Sequence, residues 1–302
     1  MDLSKLLRRK TAWAIAVYLQ PRLAVPPLGL PDYLLSSKRL LRGPRHIHTR
    51  ADPFLFSDAG KLWLFYETQS ADDPGQIEAA EIMEVGLREL GPVLREPFHL
   101  SYPYVFRIGS EIYLLPESRA AGATSLYRFL DFPRRPKRVR TLLDGAFSDV
   151  SPVKVDDIWF LFATSSAGLE LFYANDIVGG EIKRHPASPI TTDPRRSRCG
   201  GVPFHLNGQL VRPAQNNSER YGGNLSLLRI ETINHQQYRE ASMLEDIFEK
   251  RQPWNSEGAH HVSVATWGSH TAVAVDGQAH DYYIHKLISR AWMLATGYQS
   301  GR

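Results

Sequence analysis

The chain has 302 residues, with 36 Lys or Arg against 32 Asp or Glu, a net charge of +4. Hydrophobic residues at 43% and charged residues at 23% exclude wholesale disorder and a polytopic membrane protein, and at roughly 150 residues per domain the length allows two small domains or one large all-β or α/β unit. A single cysteine, Cys199, excludes an internal disulfide and any Cys-based zinc site.

In chain order, Met1 to Lys10 is basic and Thr11 to Leu19 is apolar. This faintly imitates a signal peptide, but the apolar run is short, Gln20-Pro21-Arg22 ends it, and no small-residue cleavage site follows. No stretch approaches the ~18 to 20 apolar residues of a membrane span. The expectation is a cytoplasmic protein. Leu3, Leu6, Leu7, Arg8, Arg9 and Lys10 read as a solvated helical start in preference to a weak membrane-surface contact.

Five segments then repeat one pattern of apolar stretch, polar turn and second apolar stretch, the signature of a β-hairpin. They are Ala51 to Thr68, Ser101 to Ser118, Ser148 to Ser165, Cys199 to Asn216 and His260 to Gly277. Their second residues, Asp52, Tyr102, Asp149, Gly200 and His261, stand 50, 47, 51 and 61 residues apart. That period predicts four-stranded blades, an all-β, five-bladed β-propeller over residues 45–290, with an N-terminal extension over 1–44 and a tail over 291–302. Further strands are expected at Gln76 to Met83, Ser125 to Phe132, Leu169 to Ile177 and Leu225 to Ile233, and Thr11 to Leu19 supplies a strand that closes the last blade. Helical periodicity is confined to Met243 to Lys250 and Leu287 to Thr296. The basic run Phe132 to Thr141 reads as an exposed inter-strand loop, since no aromatic interleaving accompanies it, and no nucleic-acid partner is expected.

In a propeller the start of each innermost strand and the end of the second share one mouth. Fifteen residues after these second residues stand Glu67, Glu117, Thr164, Gln215 and Asp276. Asp52, Glu67, Glu117, Asp149 and Asp276 therefore place five carboxylates around one opening, with Tyr102, Gln215 and His261 beside them. Like charges at short range raise one another's pKa, and their commonest use across a cleft is glycosidic-bond chemistry. Asp52 and Asp149 then flank a sugar, or else each closes an Asx-type turn on its own backbone.

These residues resemble a known group. Asp52-Pro53-Phe54, Tyr102-Pro103-Tyr104, Leu115-Pro116-Glu117-Ser118, Arg212-Pro213-Ala214-Gln215, Tyr221-Gly222-Gly223 and Gly258-Ala259-His260-His261 look like the N-terminal domain family of the plant glucosamine inositolphosphorylceramide transferases. That family has bacterial members and is related to five-bladed propellers of glycoside hydrolase families 43 and 32. The resemblance covers roughly residues 10 to 280 and implies a carbohydrate-related role. It implies Asp52 as general base and Asp149 as the aspartate that tunes the acid. Those hydrolases take their acid from blade four, where this chain reads Arg198-Cys199-Gly200-Gly201. Glu117 is the substitute proton donor and Glu67 the second choice.

Around this core, Arg198 and Arg212 either clamp a sugar carboxylate or phosphate or neutralise the acids. Tyr102, Tyr221 and Trp254 offer stacking faces, with propeller core for Tyr221 and loop packing for Trp254 as the alternatives. His260 and His261 should point to opposite faces of a strand, so one enters the channel, and a hydrogen bond from His261 to a ring carboxylate is preferred over metal ligation. Cys199, beside Gly200-Gly201, serves close packing. No phosphate loop, dinucleotide fingerprint, Gly-x-Ser-x-Gly elbow or His-Glu-x-x-His is present, so no cofactor and no metal are expected. The partner expected is a glycan or glycolipid substrate. The chain either processes or transfers a glycosyl unit, or binds a glycan for a partner glycosyltransferase, a reading that suits a chain without an attached transferase domain.

Overall fold

The computed structural model describes residues 9–36, 47–70, 74–248 and 252–282. Two strands come first, β1 (Arg9–Gln20) and β2 (Tyr33–Leu35), and they do not make a blade of their own. Blade one follows with β3 (Ile47–Asp58), β4 (Lys61–Ser70), β5 (Gln76–Ile82) and β6 (Leu87–Leu94). Blade two has β7 (Ser101–Ile108), β8 (Glu111–Glu117), β9 (Ala123–Asp131) and β10 (Arg134–Asp144). Blade three has β11 (Ser148–Val155), β12 (Ile158–Ser165), β13 (Gly168–Ala174) and the short β14 (Lys183–Arg184). In blade four the innermost strand is split into β15 (Arg198–Cys199) and β16 (Phe204–Leu206), both paired with β17 (Gln209–Asn216), outside which lie β18 (Asn224–Ile233) and β19 (Tyr238–Leu244). Blade five takes β20 (Val262–Trp267) and β21 (His270–Tyr282) and is completed by β1 and β2, in the order β2-β1-β21-β20. The architecture is a five-bladed β-propeller.

The hairpins form where the sequence supplies the turn. Ala59-Gly60 and Asn207-Gly208 both take positive φ at consecutive positions, 49° and 76° in the first and 51° and 77° in the second. That is the mirror-image turn whose twist suits two antiparallel strands. Blade-to-blade packing follows from the period of two along each strand. On β4, Leu62, Leu64 and Tyr66 enter the core shared with blade five, whereas Trp63 and Phe65 enter the core shared with blade two. Cores of the same kind lie between blades two and three, three and four, and four and five. A fully buried side chain such as Phe65 contributes about 2 kcal/mol to that cohesion. Closure comes from β1 on β21, a twelve-residue ladder running from Arg9↔Tyr282 to Gln20↔Thr271.

Three local expectations are corrected. Met243 to Lys250 is not a helix where described: Met243 and Leu244 finish β19, and a turn carries the chain through Ile247 and Phe248 into the core between blades four and five. The apolar spacing that imitates a helical face is met by a strand end and a turn. Phe132 to Thr141 is not a loop but a turn followed by β10, the outer strand of blade two. Its arginines reach sideways to neighbouring blades, Arg134 to the Leu90 carbonyl and Arg140 to those of Val178 and Gly180. Of the basic start, Arg9 and Lys10 belong to strand β1 and not to a helix, while the cluster before Arg9 and the segment Leu287 to Thr296 lie outside the described residues.

Blade four meets blade five through glycine. Gly201 has φ +134°, and a Cβ there would stand 2.1 Å from the Val262 carbonyl oxygen. Gly201→Ala should lower stability by about 3 kcal/mol through backbone strain and steric overlap, read as a lower urea midpoint at unchanged m-value. A neutral result would show that these two blades separate freely.

Candidate functional site

The hub is organised by three equivalent irregularities. Asp52, Tyr102 and Asp149 each sit where the pairing of an innermost strand with its neighbour slips register. Their φ values are 53°, 49° and 51°, a left-handed conformation that non-glycine residues hold only under tertiary constraint. Such a bulge re-aims a side chain and frees its backbone N–H. Each freed N–H donates to a carboxylate of the preceding blade: Asp52 N to Asp276 Oδ2 at 3.1 Å, Tyr102 N to Asp52 Oδ2 at 3.2 Å, and Asp149 N to Glu117 Oε2 at 3.0 Å. The second residue of a hairpin and the residue fifteen positions on therefore meet at one hub.

Blade four departs from this pattern for a packing reason. A Cβ on Gly200 would lie 2.2 Å from the Leu225 side chain and 2.8 Å from the His260 carbonyl oxygen, and the Gly200 carbonyl accepts the Val262 N–H at 2.8 Å. No side chain fits, so no carboxylate enters from that position. Cys199 next to it is fully buried, in agreement with a packing role.

Two carboxylates of the ring are held by cations. Asp276, fully buried, accepts the His260 and His261 backbone N–H groups at 3.0 Å each and forms an ion pair with His260 Nδ1 at 2.7 Å. Asp149 accepts from the Arg198 Nε–H and, at 3.0 Å, from Gln215 Nε2. Gln215 Nε2 also donates to the Cys199 carbonyl at 2.8 Å. Asp52, His260 and Asp276 bring ligand atoms within 4.8 Å of one another. Their contacts are those of an ion pair capped by backbone amides.

The remaining acids hold their protons to higher pH than a free carboxyl does. Burial, reinforced by Asp149 and Asp276 and opposed by His260 and Arg198, pushes Asp52 up to about 7. Burial and the neighbouring Asp149 push Glu117 up to about 8, against the pull of Arg198. Glu67 is driven well above the usual carboxylate range by burial and then by Asp52, Glu117, Asp276 and Asp149. For Asp276, burial alone would act upward, but His260 holds it below its ordinary value. His260 is correspondingly raised despite its burial.

Of the side chains singled out in the sequence, Asp52, Glu67, Glu117, Asp149, Arg198, Gln215, Tyr221 and His261 come together at the hub. Arg212 does not. It is fully buried within blade four, where it donates to both Glu240 carboxylate oxygens, at 2.8 and 2.7 Å, and to the Arg196 carbonyl. It neither reaches a ligand nor neutralises the ring. Tyr102 is no stacking face either, because it is fully buried and its hydroxyl links Ser151 Oγ at 2.7 Å with the Gly201 N–H at 2.8 Å. Trp254 packs over Gly277 and donates to Gln252, which is the loop-packing alternative. Tyr221 is 51% exposed, with the Arg198 guanidinium 5.0 Å from its ring centre, and so presents an aromatic face at the site.

The histidine assignment also changes. His261 Nδ1 stands 3.8 Å from Asp52 Oδ1, beyond hydrogen-bond reach. Its ring lies edge-on to Phe54 and Tyr102, and burial pushes its pKa down to about 4. His260 is the residue that pairs with a ring carboxylate, stacked on Trp13 with ring centres 4.0 Å apart. Strand alternation misjudged the two because β20 begins only at Val262. Trp13 and His99 carried no motif. Only the spatial return of β1 and the connection before β7 brings them in.

Comparison with known proteins agrees with the fold. The sequence profile described as "Glucosamine inositolphosphorylceramide transferase 1, N-terminal" matches residues 45–278. Glucosamine inositolphosphorylceramide transferase 1 of Oryza sativa subsp. japonica is 34% identical over 241 residues, covering 74% of this chain and 32% of that protein. The Arabidopsis thaliana protein of the same name is 33% identical over 244 residues, 75% of this chain and 32% of its own. The chain thus spans about a third of the length of these relatives. A solved structure of a putative glycoside hydrolase from Parabacteroides distasonis superposes with TM-score 0.55 at 10% identity, covering 75% of this chain and 86% of that one. An α-L-arabinofuranosidase from Clostridium thermocellum gives 0.55 at 12% identity, with 74% and 81% covered. At such identities the structures share the fold.

The raised acids make stability depend on pH. Glu117 has a folded value of about 8 against an ordinary 4.5, so the folded state retains a proton that the unfolded chain releases. Its contribution is present in full below about pH 4.5 and is lost as pH rises through 8. Glu117→Gln keeps an oxygen for the Asp149 N–H and removes this dependence. Its urea midpoint should exceed that of the wild type at pH 8 and converge with it at pH 4. Parallel curves would contradict a buried, protonated Glu117.

Proposed function

We propose, for a chain that belongs to the glucosamine inositolphosphorylceramide transferase 1 N-terminal family, that the hub carboxylates act on a glycosidic bond, by hydrolysis or by glycosyl transfer, in glycolipid or surface-polysaccharide metabolism. The observation that carries this reading is the coexistence, in one buried ring, of Glu117 pushed up to about 8 and Asp52 to about 7. Near neutral pH such a pair offers one proton donor and one carboxylate able to accept a proton, the division of labour that glycosidic-bond cleavage requires.

In this mechanism Glu117 protonates the leaving oxygen as the sugar carbon gains positive charge. Ionised Asp52 takes the proton of the attacking water or acceptor hydroxyl. Asp149, clamped by Arg198 and Gln215, keeps Glu117 protonated by Coulombic repulsion and stabilises the developing charge. The exposed ring of Tyr221 gives the sugar an apolar face to stack on, in front of the Arg198 guanidinium.

A second reading is a glycan-binding module that positions an acceptor for a partner glycosyltransferase. What favours it is the glycine at the blade-four position, where packing leaves no room for an acid.

Incubation with a panel of labelled glycans that includes amino-sugar and inositol-phosphate headgroups separates the two. Turnover should follow a bell-shaped pH profile with limbs near 7 and 8, macroscopic values of the coupled ring. Asp52→Asn should lower kcat by roughly 10³-fold while glycan binding persists. Binding by the wild type without any product selects the second reading.

A further inference from the structure

One hub acid has a neighbour that neither glycan cleavage nor glycan binding has called on so far. Glu67, at the end of β4, has a side chain only 9% exposed, and its Oε1 lies 3.5 Å from Nε2 of His99. His99 stands in the connection between β6 and β7, and its side chain is 36% exposed.

The imidazole is held from its other side. Gly75 N–H donates to His99 Nδ1 at 3.1 Å, and the next residue, Leu100, returns its N–H to the Gly75 carbonyl at 2.9 Å. An Nδ1 that accepts a hydrogen bond carries no proton, so in the neutral ring the proton is on Nε2, the nitrogen facing Glu67. Burial lowers the His99 pKa, which favours that neutral form. Glycine is required for the clasp: a Cβ on residue 75 would stand 2.5 Å from His99 Cε1 and 2.7 Å from the Leu100 carbonyl oxygen. Two segments are thus pressed together at a point where only a bare backbone fits, and the result is one ring, one tautomer and one direction for its N–H.

We propose that His99 is a positioning residue for Glu67, presenting its Nε2–H to the carboxyl and so favouring the ionised form of that buried acid. At 3.5 Å the contact is longer than a formed hydrogen bond, as is common for catalytic pairs before a ligand closes the site. The acids facing Glu67 are Asp52 of its own blade and Glu117, Asp149 and Asp276 of the others, and the Tyr221 phenol faces it as well. The His99 N–H donor favours the ionised form, while these acidic neighbours oppose ionisation. The inference rests on the reading of the hub as an acid–base site, but its decisive test does not need turnover.

That test uses the full chain labelled with ¹⁵N-histidine and ¹³Cδ-glutamate, with Glu67→Gln to assign the Glu67 resonance. The His99 ring should show the Nε2-protonated tautomer. His99→Phe keeps a ring in place and removes the donor, and should move the Glu67 titration midpoint upward. His99→Gln restores an N–H and should bring the midpoint back toward the wild type. With a glycan substrate, His99→Phe should lower kcat about 10-fold or more with KM little changed, and His99→Gln should recover most of the loss. An Nδ1-protonated ring, or a Glu67 midpoint that His99→Phe leaves unmoved, overturns the proposal. A moved midpoint in a protein that turns over no glycan upholds it and removes the glycosidic-bond reading instead.

Discussion

Five carboxylates share one hub, and they cannot all be charged. Two unit charges 4 Å apart interact by about 4 kcal/mol at the effective dielectric near a protein surface, and several such pairs would consume the ~5–15 kcal/mol by which a domain is stable. The structure distributes the problem. Asp276 is ionised against His260 and three backbone amides, Asp149 is clamped by Arg198, Asp52 and Glu117 hold protons into the neutral range, and Glu67 is pushed well above the usual carboxylate range. The same arrangement that makes the hub tolerable makes it reactive, since protons are stored beside groups prepared to take them.

The backbone is part of that solution. The bulges at Asp52, Tyr102 and Asp149 carry strained φ values, yet each turns an N–H toward a carboxylate of the preceding blade. Acid side chains therefore act as fasteners between sheets whose principal cohesion is apolar. Blade four makes its junction differently, by direct backbone contact at Gly200 and Gly201, which explains both the glycines and the missing acid.

The repeat was legible in the sequence because each hairpin has the same length, so a constant offset of fifteen residues marks equivalent positions on every blade. Hairpin boundaries and the closing role of Thr11 to Leu19 follow from that pattern and are present in the fold. Side-chain destinations were less legible. Arg212 is drawn to Glu240, two strands away on the outer edge of its own blade, a partner that spacing along one hairpin does not reveal. Tyr102 belongs to the repeat but its bulge sends the ring into the core. His99 is in a connection whose length varies between blades, where periodicity carries no information.

The pairing of β1 with β21 also bears on how the ring is made. Arg9 stands in register opposite Tyr282, so the earliest described strand finds its partner only after the last one has been synthesised. Until then its apolar residues Ile15 and Val17, which end buried against blade one, have no sheet to join, and contacts this distant along the chain are the slowest to form. Blades one to four can assemble in order as they emerge from the ribosome. The fifth is a waiting clasp, and an unfastened ring offers its exposed edge to any neighbouring chain.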